Sequence, residues 1–175
     1  ISLFCDIETE NVLEARDVDC LYEIPLLMEE QKLADIVLKR LGMTTTPPDL
    51  DSWKEIVNQY KRKKPYKVRI ALVGKYVKIA DAYLSVIEAL IHASLPDDGG
   101  LDLVWVASEQ VEKDGAEKCL EGIHGVVVPG GFGDRGIEGK IETIRYCREK
   151  KIPFLGICLG MQCVVIEFAR HVAGL

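Results

Sequence analysis

Residues 153–168 read PFLGICLGMQCVVIEF, and this stretch decides the fold. Pro153 to Ile157 is a short apolar run that predicts a buried strand. Four apolar residues then recur at helical spacing and predict a helix: Met161, Val164, Val165 and Phe168. The strand therefore turns directly into the helix, and Cys158 lies at the junction between Gly156 and Gly160. A strand followed at once by a helix is the repeating unit of α/β proteins.

The same strand-then-helix order repeats over residues 66–175. The other predicted strands are apolar runs over 68–73, 101–107 and 126–128. Apolar residues at helical spacing predict helices over 83–91, 111–120 and 137–144. This alternation predicts an α/β fold with a mostly parallel sheet and helices on both faces. In such folds the chemistry lies at the carboxyl ends of the strands.

Two further regions precede this one. Residues 1–41 begin with the apolar run Ser2–Cys5, which predicts a buried strand, and later apolar spacing predicts a helix ending near Gly42. Residues 42–65 form a predicted interdomain linker, because consecutive prolines cannot continue a helix. The predicted organisation is therefore 1–41, 42–65 and 66–175.

The linker contains a predicted short helix and a basic run. The apolar face of the helix consists of Trp53, Ile56, Val57 and Tyr60. Ser52 with Glu55 is typical of a capping box at its start. The basic run, Lys61 to Lys64, is typical of a solvated connector, while contact with an acidic neighbour or a nucleotide phosphate stays open.

The composition is that of a folded protein. The 175 residues include 22 Lys and Arg against 28 Asp and Glu, a formal net charge of −6, and 48% hydrophobic residues. This balance excludes disorder and argues against a general nucleic-acid binder. No apolar run reaches the roughly 20 residues that a membrane-spanning helix needs. The start resembles no signal peptide and lacks an initiator Met, so we expect a piece of a longer chain.

Six cysteines could form three disulfides, but their spacing favours free thiols in a reducing compartment. No C-x-x-C pair occurs, which also argues against a zinc site. A structural role is expected for five of the six: Cys5, Cys20, Cys119, Cys147 and Cys163.

A glycine-rich loop follows the predicted strand 126–128. Gly131, Gly133 and Gly136 match the G-x-G-x-x-G fingerprint of dinucleotide sites. That fingerprint also needs an acidic residue at the end of the next strand, and residues 155–158 contain none. A plain structural turn is a second interpretation. We favour a third, a loop whose N–H groups face an anion or an oxyanion.

Cys158 stands in a G-x-C-x-G version of the nucleophile elbow. Such a turn crowds its neighbours and strains the backbone, so glycines are needed on both sides. The start of the following helix lies beneath the thiol and favours the nucleophilic thiolate. The N–H groups of Leu159 and Gly131 would form an oxyanion hole. The competing interpretation is a buried cysteine at an ordinary strand end.

Two motifs resemble the class I glutamine amidotransferases: Pro129–Gly133 and Gly156–Gln162. Further segments resemble the CTP synthase family within that class: Asp17–Asp19, Tyr22, Ile24–Pro25, Ala71–Tyr76, Asp81–Tyr83 and Gly136–Lys140. The resemblance covers nearly the whole chain. The elbow alone is specific to the class, whereas the full set of segments is specific to the CTP synthase family.

The resemblance implies a flavodoxin-like amidotransferase domain over 66–175, preceded by the tail of a second α/β domain, the synthetase domain, over 1–41. The implied activity is the ATP-dependent amination of UTP to CTP, with ammonia taken from glutamine and GTP as effector. The resemblance also implies Mg²⁺ bound with ATP, a homotetramer and a cytoplasmic location. The Mg²⁺ ligands and the UTP pocket would lie outside this chain.

The resemblance also assigns roles to single residues. Cys158 would attack the side-chain amide of glutamine and form a γ-glutamyl thioester, with Gly131 and Leu159 as the oxyanion hole. The residues implied to hold glutamine are Gly131, Leu159, Gly160, Met161 and Gln162. Those implied to respond to GTP are Phe132 and Arg135. Those implied to contact ATP are Arg16, Asp17 and Val18, with Arg16 matching by charge only.

The sequence departs from the family pattern at the partners of the nucleophile. The family's His and Glu come from an H-x-E motif, and none of His92, His124 and His171 stands in one. We expect structural or solvent-exposed roles for these histidines, and poor turnover of glutamine by this chain alone. Two other interpretations stay open: a different amidotransferase or cysteine-elbow hydrolase, and a non-catalytic flavodoxin-like module.

Overall fold

The computed structural model describes residues 1–44, 46–77 and 79–175. The chain divides into two compact units, Ile1–Lys63 and Lys64–Leu175. The first unit consists of short helices: α1 (Ser2–Cys5), α2 (Ile24–Glu30), α3 (Leu33–Arg40) and α4 (Asp51–Lys61), with 3₁₀ turns at Thr9–Asn11 and Leu21–Glu23. No helix in the described ranges is both long and apolar enough to cross a membrane.

The segment Ser2–Cys5 is a helical turn, so the prediction of a buried strand was wrong. The N–H groups of Phe4 and Cys5 both donate to the carbonyl of Ile1 at 3.0 Å. Leu3 and Phe4 are 87% and 92% exposed. A four-residue apolar run carries no periodicity that separates strand from helix. A strand also needs a neighbour, and the strands of the described sheet all lie in the second unit.

The linker helix α4 packs within the first unit through aromatic contacts. The indole N–H of Trp53 donates to the carbonyl of Tyr22, and the rings of Tyr22 and Tyr60 lie 5.7 Å apart. The Lys61 ammonium forms an ion pair with the carboxylate of Glu23, so this member of the basic run contacts an acidic neighbour. The predicted bounds of the linker stay a prediction.

The predicted capping box at the start of α4 was wrong. Leu50 is the N-cap residue, and Ser52 lies inside the helix. The carboxylate of Asp49 instead accepts a hydrogen bond from the N–H of Asp51 at 3.0 Å. The helix therefore begins earlier than the Ser–Glu spacing indicates, because an acidic side chain upstream satisfies an N–H group of the first turn.

The second unit contains the sheet. Its strands are β1 (Tyr66–Gly74), β2 (Gly99–Ala107), β3 (Gly125–Val128) and β4 (Phe154–Gly156). Its helices are α5 (Leu84–Ser94), α6 (Ser108–Asp114), α7 (Ala116–Cys119), α8 (Ile137–Lys150) and α9 (Leu159–Phe168), with a 3₁₀ turn at Ala80–Tyr83 and a π-helical turn at Ala169–Ala173. The strand order is β2-β1-β3-β4 and all pairs are parallel. The predicted α/β fold is confirmed.

Alternate residues of the central strands face opposite layers of helices. Ala71 and Val73 of β1 pack with Val126 and Val128 of β3 against α6, α7 and α8. Leu72 of β1 faces the other side and packs against α5. Because side chains alternate along a strand, a continuous apolar run is buried on both faces of the sheet.

Two helix predictions needed correction. The helix predicted over 111–120 is two helices, because Gly115 between α6 and α7 has a φ of 86° that interrupts helical geometry. In α9 the predicted apolar face is wrong: Met161, Val165 and Phe168 are exposed. The buried positions are instead Gly160, Cys163 and Glu167.

The burial of Glu167 follows from an ion pair with α8. Its carboxylate is 1% exposed, and the guanidinium of Arg148 donates to it through Nε and Nη2, the shortest distance being 2.8 Å. The hydrogen bond to Glu167 raises the pKa of the Arg148 side chain. His171 also contacts this carboxylate, with Nδ1 at 3.4 Å from Oε1. A glutamate thus occupies the inner face of α9, which apolar periodicity alone could not indicate.

We expect Arg148→Met to lower the unfolding midpoint of the second unit, because it leaves the buried Glu167 carboxylate without its guanidinium. The matched control is Arg145→Met, which removes an exposed pair with Glu149 on the same helix and should change the midpoint several-fold less. Urea unfolding followed by Trp105 fluorescence in a Trp53→Phe background reports on the second unit. Equal midpoints for the two variants would contradict the stabilising role of the Arg148–Glu167 pair.

Candidate active site

The candidate site lies at the carboxyl ends of β3 and β4. These strands are parallel neighbours, and Val128 at the end of β3 pairs with Gly156 at the end of β4. The glycine-rich loop leaves β3 and the elbow leaves β4, so the two segments lie side by side. The N–H of Ile157 donates to the carbonyl of Val128 at 3.0 Å, which extends the pairing into the elbow.

Cys158 has the strained backbone that is typical of a nucleophile elbow. Its φ is 53° and its ψ is −106°, an uncommon conformation for a residue with a side chain. The turn is fixed by two hydrogen bonds, from the Gly160 N–H to the Ile157 carbonyl and from the Gln162 N–H to the Cys158 carbonyl. The thiol side chain is exposed. The structure therefore excludes the interpretation of Cys158 as a buried core residue.

The two glycines beside Cys158 are required by close backbone contacts. A Cβ on Gly156 would lie 2.7 Å from the carbonyl carbon of Gly160, and a Cβ on Gly160 would lie 2.1 Å from the carbonyl oxygen of Val128. A real Cβ atom does not approach backbone atoms this closely, so both positions require glycine. The G-x-C-x-G spacing thus lets the helix begin directly against the end of β3.

The structure brings the predicted oxyanion donors to this turn. A Cβ on Gly130 would lie 3.4 Å from the Cβ of Cys158, and one on Gly131 would lie 3.7 Å from Cδ2 of Leu159. In the part of the chain that the structure describes, no hydrogen bond takes up the N–H of Gly131 or of Leu159. An exposed thiol beside two available N–H donors can add to a carbonyl group and stabilise the resulting oxyanion.

Four of the residues expected to hold glutamine, Leu159 to Gln162, lie on the first turn of α9, and the fifth, Gly131, lies on the glycine-rich loop. Gly160 is buried against β3, whereas Met161 and Gln162 are exposed. The backbone of Gln162 is fixed by its bond to Cys158. These residues are next to Cys158 because α9 begins directly after it. Their roles in binding glutamine stay predictions.

The residues expected to respond to GTP lie farther along the glycine-rich loop. Phe132 is 88% exposed, and its carbonyl accepts a hydrogen bond from the Lys75 ammonium at 3.1 Å. The Arg135 guanidinium pairs with Glu109 at 3.0 Å. Arg135 lines a cavity of about 380 Å³ that Phe132 does not line; the other lining residues are Lys75, Tyr76, Val77, Ile79, Ala107 and Glu109.

The residues expected to contact ATP belong to the first unit. Arg16 and Asp17 are exposed, and Val18 is half-buried. The Arg16 guanidinium pairs with Glu14 at 2.8 Å. The Gln31 side chain holds this segment, because it accepts from the N–H of Glu14 at 2.8 Å and donates to its carbonyl at 2.9 Å.

The histidines lie in separate parts of the second unit. His124 precedes β3, at the edge of the sheet opposite to Cys158, and its Nδ1 accepts from the N–H of Arg69 at 3.0 Å. His171 contacts Glu167 beyond α9, and His92 lies in α5. Among the described residues, no three His, Cys, Asp or Glu side chains are grouped to hold a metal ion.

Sequence reasoning missed one residue beside the site. Lys140 in the first turn of α8 is 2% exposed, and its Nζ would lie 3.8 Å from a Cβ on Gly131. Burial lowers the pKa of this ammonium. The sequence contained Lys140 only as the end of a family motif, and no local pattern signals a buried lysine.

Family models and relatives place the chain among known proteins. The model for glutamine amidotransferase class-I matches residues 78–174, and the model for the CTP synthase N-terminus matches residues 1–43. The CTP synthase of Carboxydothermus hydrogenoformans is 54% identical over 175 residues, covering 100% of this chain and 32% of the relative. That of Geobacillus kaustophilus is 53% identical, covering 100% of this chain and 33% of the relative. The chain thus spans about a third of the length of these relatives.

A solved structure agrees with the fold. The glutaminase domain of Trypanosoma brucei CTPS, with bound acivicin, is 44% identical and superposes with a TM-score of 0.57. The match covers 61% of this chain and 42% of that one.

We expect Gly160→Ala to lower the free energy of unfolding of the second unit by about 1–3 kcal/mol, since its methyl group would overlap the Val128 carbonyl and displace α9. Met161→Ala, the adjacent exposed position, is the matched control and should change it by less than about 0.5 kcal/mol. Urea unfolding observed through Trp105 measures both. A Gly160→Ala variant as stable as the control would contradict the close contact between α9 and β3.

Proposed function

This chain belongs to the class I glutamine amidotransferase family, and from that membership we propose that it carries the nucleophile of the glutaminase site of a CTP synthase. Support for the CTP synthase assignment comes from the relatives that match the chain along its whole length and from the match of residues 1–43 to the CTP synthase N-terminus. The observation that carries the assignment of the nucleophile is the strained, exposed Cys158 beside two N–H groups without an acceptor.

In the proposed reaction the Cys158 sulfur attacks the side-chain amide carbon of glutamine. The carbon–oxygen double bond opens to an oxyanion, which the N–H groups of Gly131 and Leu159 stabilise. The carbon–nitrogen bond then breaks, ammonia leaves, and a γ-glutamyl thioester stays on Cys158. Water hydrolyses the thioester to glutamate and restores the thiol.

The proton steps need a base that takes the thiol proton and returns it to the departing nitrogen. His124 lies at the opposite edge of the sheet and His171 is engaged with Glu167. The H-x-E motif of the family is absent from this sequence. We therefore propose that the base and its glutamate partner come from outside residues 1–175, and that this chain alone turns over glutamine poorly.

The whole protein would use the ammonia to convert UTP to CTP in an ATP-dependent step in the cytoplasm. Arg16, Asp17 and Val18 would contact ATP, and Phe132 with Arg135 would respond to GTP. Mg²⁺ would bind with ATP, and we propose that its ligands lie outside this chain. The proposal extends to a homotetramer and to the organisation 1–41, 42–65 and 66–175 predicted from the sequence.

The decisive test measures CTP formation by the full-length protein that contains this chain, with UTP, ATP and either glutamine or ammonia. We expect Cys158→Ala to abolish the glutamine-dependent rate and to leave the ammonia-dependent rate unchanged. Cys5→Ala, which removes another exposed thiol, should change neither rate. Absence of CTP from both nitrogen sources in the unmodified protein would overturn the CTP synthase proposal, and full glutamine-dependent activity in Cys158→Ala would overturn the role of Cys158.

Acivicin provides a second test, because the Trypanosoma brucei relative binds it. We expect acivicin to modify Cys158 of the full-length protein and to spare Cys5, since exposure alone does not supply an oxyanion hole. Burial raises the pKa of the Cys147 thiol to about 11 and raises that of Cys163, so these thiols should also be spared near neutral pH. Peptide mass mapping identifies the modified residue, and equal labelling of Cys5 and Cys158 would contradict an activated elbow.

A further inference from the structure

Lys140 is a buried cation in the second unit. It lies in the first turn of α8, where its N–H donates to the carbonyl of Gly136 at 3.3 Å, and its side chain is 2% exposed. Residues before Lys140 form the glycine-rich loop, so the lysine side chain returns from the helix toward the loop that precedes it. Helical side chains point toward the helix N-terminus, which is the direction that this contact requires.

The Lys140 ammonium lies beside Gly131 of the glycine-rich loop, and Gly131 in turn lies beside Leu159 of the elbow helix. A Cβ on Gly131 would lie 3.8 Å from Nζ of Lys140 and 3.7 Å from Cδ2 of Leu159. Gly131 therefore has both the ammonium of α8 and the first residue of the elbow helix as near neighbours. The N–H groups of Gly131 and Leu159 both lack an acceptor within the described residues.

The charge environment of Lys140 offers no carboxylate as a direct partner. Among the described residues it forms no ion pair, and Glu109, whose charge acts on it from α6, is paired with Arg135. The other titratable groups that act on it are Cys163 of α9 and Lys75 after β1. Burial is the largest influence and lowers the pKa of Lys140; Cys163 and Glu109 oppose the lowering, and Lys75 adds to it.

Packing alone does not explain this residue. A buried ammonium without a carboxylate destabilises the folded state, whereas a methionine of similar length would fill the same space without a charge. The burial of this charge is unfavourable, and the charge lies beside Gly131 of the glycine-rich loop. Perturbed cations in such places are candidates for a role in the chemistry.

We propose that Lys140 is a positioning residue for the glutaminase reaction: its ammonium holds the backbone of Gly131 against Leu159 and supplies positive potential where the oxyanion develops. The inference rests on the proposed function of Cys158. The proposed role of Lys140 is indirect, because it acts through the backbone of Gly131. Its contribution grows as negative charge develops on the amide oxygen, so it stabilises the transition state more than bound glutamine.

The test compares Lys140→Met with Lys150→Met in the full-length protein. Lys150 is an exposed lysine at the other end of α8, so its substitution controls for loss of a positive charge from the same helix. We expect Lys140→Met to lower kcat for glutamine-dependent CTP formation about tenfold, with KM for glutamine within about twofold, because the lost interaction belongs to the transition state. Ammonia-dependent CTP formation should be unchanged, and Lys150→Met should leave both rates unchanged.

Two further measurements separate positioning from a merely structural role. The urea midpoint of Lys140→Met should be equal to or above that of the unmodified protein, since a buried charge has been removed. The protonated ammonium is the active form, so the glutaminase kcat of the unmodified protein should fall as pH rises through the lowered pKa of Lys140. In Lys140→Met that alkaline fall should be lost.

An unchanged kcat in Lys140→Met would overturn the inference, and so would a fall in kcat that accompanies a lowered urea midpoint or an intact alkaline limb. These outcomes differ from failure of the proposed function. If the proposed function is wrong, the unmodified protein shows no glutamine-dependent CTP formation, or Cys158→Ala forms CTP from glutamine as fast as the unmodified protein. Neither result depends on the residue at position 140.

Discussion

The first turn of α9 lies directly against the carbonyl oxygen of Val128 at the end of β3, and the geometry of the candidate site depends on this contact. Only glycine at position 160 allows it, since a Cβ there would lie 2.1 Å from that oxygen. The helix can then begin without an intervening loop, which forces the positive φ of Cys158 and leaves its thiol exposed. The same contact brings the loop after β3 beside the elbow, so Cys158 and the N–H groups of Gly131 and Leu159 are neighbours because of how the two strands end.

The sequence was most informative where apolar runs were long or had a clear period. The run Val68–Val73 predicted a strand correctly, and its second half, Ala71–Val73, is buried because helices cover both faces of the sheet there. Short segments were less informative: Ser2–Cys5 lacks any period, and the start of α4 was set by Asp49 rather than by Ser52. In α9 the apolar face was assigned to the wrong side, because the ion pair with Arg148 places the buried carboxylate of Glu167 on the side of the helix that faces α8.

Some features of the candidate site could be predicted from residue spacing, and others could not. Glycines on both sides of Cys158 indicated a strained turn, since no other residue tolerates such close backbone contacts. Lys140 could not be predicted to lie beside Gly131, because its burial arises from the packing of α8 against both the loop and α9. Phe132 and Arg135 are close in sequence, yet only Arg135 lines the cavity near Lys75. Side-chain direction in a loop follows from tertiary contacts that no local pattern encodes.

The strand order also governs when the strained turn can form. β1 pairs with β2, the next strand in sequence, and with β3, so that Ala71 lies beside Val126. The segment that joins β1 to β3 is longer than the one that joins β1 to β2, so closing it costs more chain entropy. The pairing of β3 with β1 is therefore expected to form late in folding. β4 pairs with β3, and Cys158 can therefore adopt its strained backbone only once β3 has joined the sheet. Until β3 has joined the sheet, Cys158 is therefore expected to be a flexible thiol without the strained backbone of the folded state.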